Sequence, residues 1–162
     1  MIEQVFPRVC IYGAGAIGGW IGVRLAGAGC QLSVVARGAT LDAVKHHGLR
    51  TQHGHVEATA TVRASADPAE LDVQDLVVIA VKAPALLDVA RRVGPLLGPH
   101  TVVLAAMNGV PWWFLQGFGG RFEGAHLDAV DATGEIAAAP SGESPAPAQE
   151  SPRKPGCHSA GH

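Results

Sequence analysis

Glycines 13, 15 and 18 stand in the order Gly-x-Gly-x-x-Gly, directly after the apolar run Val9-Cys10-Ile11-Tyr12 and directly before an amphipathic segment. Strand, glycine turn and helix, in that order, are what dinucleotide binding requires. Gly13 permits the tight turn out of the strand, and Gly15 keeps a Cβ out of the path of a pyrophosphate. Gly18 lets the helix lie close to the sheet. Ala14, Ala16 and Ile17 complete the loop and the first helical turn, where free N–H groups and about half a positive charge meet phosphate. The spacing alone recurs by chance in Gly-rich sequence, and its plain alternative is a structural βα turn. Its place between a strand and a helix is what points to a nucleotide.

Nineteen residues beyond Gly18, Arg37 closes a second apolar run in Ala36-Arg37-Gly38. Sites for an unphosphorylated ribose usually carry Asp or Glu there, yet the next carboxylate in this chain is Asp42. A guanidinium at that point suits a 2′-phosphate, through charge-assisted hydrogen bonds of about 1.5–3 kcal/mol each. The cofactor implied is NADP (NADPH). Lys82 follows the run Leu76–Val81, and Asn108-Gly109 follows Thr101–Ala106. The carboxyl ends of such strands face the ligand crevice. Lys82 suits ribose or phosphate. Asn108 both donates and accepts, so it suits a ribose hydroxyl or a substrate group. The plain alternatives are a solvated Arg, a Lys ending its strand in water, and an ordinary Asn-Gly turn.

These residues need a scaffold, and the hydrophobic pattern supplies one. Strands are expected at Arg8–Tyr12, Gln31–Val35, Leu76–Val81 and Thr101–Ala106, the last two as continuous runs buried on both faces. The first helix is expected to turn Ile17, Ile21 and Leu25 inward with Trp20 beside them, to pack closely at Gly22, and to end at Gly27 and Gly29. A second helix fits Ala39–His46, closed by Gly48. Leu49–Ala64 reads as a hairpin or an irregular pair of strands with a turn near Gly54, and Asp67-Pro68 opens a short helix to about Leu71. Pro84 opens a helix to about Val93, with Leu86, Leu87, Val89 and Ala90 inward and Arg91 and Arg92 outward. Pro111–Leu115 reads as a helical or packing segment, and Ala125–Val130 as one further strand. Alternating strands and helices imply an α/β fold with a doubly wound parallel sheet.

Composition narrows the class. The 162 residues are 48% hydrophobic and 16% charged, with a formal net charge of -2. That balance fits a globular domain and gives no electrostatic basis for nucleic acid or a membrane surface. Cys10, Cys30 and Cys157 are odd in number and far apart, so neither disulfides nor a zinc site is expected. His47, His55 and His100 read as loop residues, and His46 and His53 lack ligand spacing, so no metal is assigned. The Trp112-Trp113-Phe114 cluster reads as core or interface. The cytoplasm is the default location, with no leader or membrane-spanning run in view. From Ala137 to His162 there is no Val, Ile, Leu, Met, Phe, Trp or Tyr. Such a segment buries too little apolar surface to fold. The division is therefore a dinucleotide-binding domain at 1–136 and a disordered Pro/Ala/Ser/Gly-rich tail at 137–162. A shifted reading frame in a GC-rich gene would give the same tail.

With these motifs in hand, the chain resembles the N-terminal domain of the ketopantoate reductases (2-dehydropantoate 2-reductases). The resemblance lies in the loop Gly13–Gly19, the segment Val35-Ala36-Arg37-Gly38, Val81-Lys82-Ala83, and Asn108–Pro111. It implies a Rossmann-like fold and NADPH on the glycine loop, with Arg37 on the 2′-phosphate and Lys82 and Asn108 nearer the ribose and nicotinamide. It also implies reduction of the 2-keto acid ketopantoate to pantoate, in pantothenate and coenzyme A synthesis. In that family a second, mostly helical domain carries the lysine held to donate the proton. No residue here matches it, so no catalytic residue is assigned; Lys154 lies in the tail, and Met107 stands where the family often has Gln.

The chain therefore reads as a truncated cofactor-binding half, inactive alone, with apolar surface near Trp112–Leu115 that a second copy or a separate C-terminal chain would cover. Two other readings stay open: a non-catalytic NADP-binding module, and a dehydrogenase of another 2-keto acid.

Overall fold

The computed structural model describes residues 7–109, 124–125 and 128–138. In chain order its strands are β1 (Arg8–Tyr12), β2 (Gln31–Val35), β3 (Leu49–His53), β4 (Val56–Ala60), β5 (Arg63–Ser65), β6 (Leu76–Ile79) and β7 (Val102–Ala105). The helices are α1 (Ala16–Gly27), α2 (Gly38–His47), α3 (Leu86–Arg92) and the single turns α4 (Asp128–Asp131) and α5 (Glu135–Ala138). Five strands form one parallel sheet in the order β5-β2-β1-β6-β7, and β3 and β4 pair apart from it as an antiparallel hairpin. The chain steps outward from β1 to β2 and β5, then returns to the other side of β1 for β6 and β7. That reversal makes a crevice at the carboxyl ends of β1 and β6. The expected α/β, Rossmann-like sheet is present.

Strand alternation sorts the core into two layers. Val9 and Ile11 join Val34, Val78, Val23, Val44 and Leu49 on the face covered by α1, α2 and the hairpin. Cys10 and Tyr12 join Val35, Val77, Ile79, Leu86, Val89 and Leu96 on the face covered by α3. Each such side chain contributes about 1.5–3 kcal/mol when fully buried. Burial pushes the Cys10 thiol up to about 12, outweighing its hydrogen bond with the Val35 backbone. Cys10 is a packing residue.

Several expectations need correction. On α1, Ile21 and Leu25 pack partly buried against the core as expected, beside the buried Gly18, Gly19, Gly22 and Val23, while Ile17 and Trp20 are 58% and 50% exposed. At Gly22 the helix lies too close to its neighbours for a larger group: a Cβ there would stand 2.5 Å from Leu49 Cδ2 and 3.1 Å from Ile11 Cγ1. Trp20 instead stacks under the Arg24 guanidinium, 5.1 Å from its ring centroid, a contact of cation–π type.

The β7 run is apolar but not buried. It pairs with β6 on one side, and Val102, Val103 and Leu104 are all exposed, because among the described residues it is an edge. Within the stretch read as a hairpin up to Ala64, only β3 and β4 pair that way; Arg63–Ser65 joins the main sheet beside β2. Asp128–Asp131 is a helical turn where a strand was expected. The Asp131 carboxylate accepts from the N–H groups of Ile136 and Ala137, and Ile136 is buried against the α3 layer. His47 lies in the last turn of α2, not in a loop. Arg92 turns back to donate to the Ala66 carbonyl. The Pro111–Leu115 segment, Cys157 and residues 139–162 lie outside the described residues.

Candidate functional site

The crevice between β1 and β6 is built by the glycine loop. Gly13 has φ +103°, a left-handed conformation that a side chain would strain, and a Cβ there would sit 2.8 Å from Val81 Cγ1. Its N–H donates to the Val35 carbonyl, and the Ala80 N–H donates to the Tyr12 carbonyl, so the turn is tied to β2 on one side and to β6 on the other. A Cβ on Gly18 would overlap the Gly13 carbonyl oxygen and stand 2.9 Å from Ile11 Cγ2. This glycine brings α1 down onto the loop. Gly15 differs from both: it is exposed, at ordinary extended backbone angles, and a Cβ there would meet nothing within 4 Å. No side chain caps the α1 amino end that Gly15 begins, and its first turn has no acidic residue. The N–H groups around Ala16, Ile17 and Gly18 form a free, partly positive terminus.

A recess of about 330 Å³ opens over this loop, lined by Tyr12, Gly13, Ala14, Gly15, Val35, Ala36, Arg37, Thr40, Val81, Ala85 and Val89. Arg37 stands on its wall at the amino end of α2, a second helix start without a side-chain cap. The Arg37 Nη2 donates to Asp88 Oδ2 on α3, and both side chains are about half exposed. Tyr12 lines the same recess and is buried, and its hydroxyl has no hydrogen-bond partner. Burial pushes the Tyr12 phenol above its usual value; Arg92 opposes this, Asp88 adds to it, and Arg37 opposes it again.

The structure thus brings Gly13, Ala14, Gly15 and Arg37 to one recess, with Ala16, Ile17 and Gly18 at its helical edge. Lys82 and Asn108 lie at the carboxyl-end side of β6 and β7, both exposed, and neither lines the recess. Val81 and Ala85, on either side of Lys82, do. Sequence reasoning missed Tyr12, Thr40 and Asp88. Thr40 follows Arg37 by three residues, a readable signal, whereas Asp88 reaches Arg37 only through the fold.

A larger recess, about 450 Å³, lies at the opposite ends of the strands among Arg8, Gln31, Arg63 and Asp72. It lacks the glycine loop and a free helix start, and open α/β sheets bind ligands at their carboxyl edge. The smaller recess is the candidate site. Among the described residues no three His, Cys, Asp or Glu gather as a metal site, and no helix is long and apolar enough to cross a membrane.

The pattern of the ketopantoate reductase PanE/ApbA family matches residues 9–111. The chain belongs to the ketopantoate reductase family. It is 49% identical over 130 residues to a 2-dehydropantoate 2-reductase of Mesorhizobium japonicum, covering 80% of this chain and 40% of that protein. A structure described as a ketopantoate reductase from Ralstonia solanacearum MolK2 superposes with a TM-score of 0.78 at 52% identity, over 83% of this chain and 42% of that one. A D-mandelate dehydrogenase solved with NADH and anilino(oxo)acetate matches at 27% identity and a TM-score of 0.58, over 64% of this chain and 34% of that one. The chain therefore spans less than half the length of these relatives. By name those relatives are reductases and a dehydrogenase.

Proposed function

We propose that these residues form the NADPH-binding half of a 2-keto acid reductase, with ketopantoate as substrate and pantoate as product, serving pantothenate synthesis in the cytoplasm. The observation that carries the reading is the conjunction at one recess of an open Gly15, an uncapped α1 start and the Arg37 guanidinium. A side chain at position 15 would fill the approach, and the donors there are N–H groups and a cation, which is the chemistry a pyrophosphate and a 2′-phosphate need.

In this reading Gly13, Ala14, Gly15, Ala16, Ile17 and Gly18 hold the pyrophosphate, and Arg37 holds the 2′-phosphate with the free α2 start and Thr40 beside it. Lys82 and Asn108 serve the ribose and nicotinamide end, with Asn108 also facing substrate. The cofactor, when bound, supplies a hydride to the keto carbon. The chain's own part is to orient the dinucleotide and hold its anionic groups, because rate depends on alignment at near-attack distance. The proton donor is assigned to a second domain of the kind its longer relatives have length for, in a full-length chain or a separate partner. The tail at 137–162 is assigned no role in the site.

The test is titration of the chain with NADPH and NADH, before and after Arg37→Ala. NADPH is expected to bind more tightly, and the substitution to weaken it about ten- to a hundred-fold, the equivalent of one charge-assisted hydrogen bond, while NADH changes little. Equal affinities in the unsubstituted chain would refute the NADPH reading.

A further inference from the structure

Arg37, the cation that the proposed function assigns to the 2′-phosphate, already has an anionic partner on another element. Its Nη2 donates to Asp88 Oδ2, in the first turn of α3 and fifty-one positions along the chain. Arg37 projects from the amino end of α2, and Ala85, just before α3, and Val89, within it, reach the same recess on either side of Asp88. The pair therefore spans the recess wall from β2's side to β6's side. It is not buried: the two side chains are 53% and 42% exposed, so an incoming anion reaches both.

A phosphate taking the guanidinium meets a carboxylate that already holds it, and two anions on one cation repel at this range. The recess also holds an unpartnered donor, because the Tyr12 hydroxyl is buried in the same lining as Arg37, the partner of Asp88, and has no hydrogen-bond partner of its own. A buried O–H of that kind gains from any acceptor that turns to it. An unphosphorylated ribose, by contrast, asks for an acceptor, and a carboxylate at this wall supplies one. Arg37 and Asp88 thus favour opposite ligands from one place.

We propose that Asp88 is a specificity-determining residue: it is exchanged for the 2′-phosphate on Arg37, and so sets how strongly a 2′-phosphorylated dinucleotide is preferred over its unphosphorylated counterpart. The proposal rests on the nucleotide reading of the recess and deepens it. It makes Arg37 a shared group, not a free one, and predicts a preference for NADPH held below what Arg37 alone would give.

The probes are 2′,5′-ADP and 5′-AMP, which carry the adenosine end with and without the 2′-phosphate, titrated calorimetrically into the 162-residue chain. Asp88→Asn keeps the side-chain volume and removes the charge. It is expected to raise the affinity ratio of 2′,5′-ADP over 5′-AMP about five- to tenfold, mostly by tightening 2′,5′-ADP. In an Arg37→Ala background the same substitution is expected to change the ratio less than twofold, since there is no shared cation to release. A structural role for Asp88 would weaken both probes together, and Asp88→Ala, whose melting temperature reports folding directly, must show the same rise in the ratio. An unchanged or lowered ratio in Asp88→Asn, or an equal gain with Arg37 removed, overturns the exchange. If the unsubstituted chain binds neither probe, nor NADPH, the nucleotide reading itself falls. If it binds them and Asp88→Asn is silent, only the exchange does.

Discussion

Two glycines three residues apart should separate the fold from the site. Gly15→Ala puts a methyl where nothing lies within 4 Å, on a backbone at φ -75° that alanine adopts freely. Losing glycine at the N-cap costs about 0.5–1 kcal/mol, and the stiffer unfolded chain returns about 0.4–1 kcal/mol. The two offset, so the melting temperature should stay within about 2 °C, using roughly 2–4 °C per kcal/mol for a chain of this size.

Gly18→Ala puts its methyl onto the Gly13 carbonyl oxygen, with Ile11 Cγ2 at 2.9 Å and Ala80 Cβ at 3.0 Å behind it. The first contact is backbone and cannot swing aside. Overpacking of this kind costs about 3 kcal/mol, and helix propensity returns at most about 1 kcal/mol. A net loss of about 2 kcal/mol lowers the melting temperature by roughly 4–8 °C. Binding should show the reverse for the first variant: its methyl stands between the α1 amides and the pyrophosphate, removing one charge-assisted bond or more and weakening NADPH about ten- to a hundred-fold. Differential scanning fluorimetry with and without NADPH reads both effects. A Gly15→Ala chain that melts and binds like the original would show that the pyrophosphate does not rest on this loop.

Asp131→Ala removes the acceptor for the Ile136 and Ala137 N–H groups and should cost about 1–2 kcal/mol, as lost caps do, seen as a lower urea midpoint. Cys10 should resist alkylation in the native chain at pH 8.5, checked by peptide mass spectrometry, because burial holds its thiol neutral. Its folded value is raised from 9.0 to about 12, so the unfolded chain loses this proton first. The associated stability is whole below pH 9.0 and declines as pH rises toward about 12, which urea melts across that window would follow. Keto-acid-dependent NADPH oxidation by the 162-residue chain alone should stay at background in a spectrophotometric assay. Sustained turnover would place a proton donor within these residues.

The sequence by itself determined the parts of this protein that local chemistry controls. Gly13, Gly15 and Gly18 were legible because each has a local reason, a left-handed turn at Gly13, open space at Gly15 and the Gly13 carbonyl against Gly18, even though Val81 also crowds Gly13 from a distance. Strands β1 and β2, the turn at Gly54 and the stop at Gly48 follow from the same short-range rules, as does the position of Arg37 at the end of β2.

What tertiary structure decided was everything that depends on distant partners. The periodicity of α1 pointed Ile17 and Trp20 inward along with Ile21 and Leu25; the sheet and the hairpin came so close at Gly18 and Gly22 that the packed face shifted toward the glycines, and Ile17 and Trp20 went to the surface. The apolar run of β7 carries no mark of being the edge that it is among the described residues, because burial on both faces requires neighbours that a strand cannot specify alone. Asp88 meets Arg37 only because α3 returns across the switch between β1 and β6, so the charge of the site was not written in the loop that forms it. Periodicity records how apolar a face is, and packing decides what that face meets.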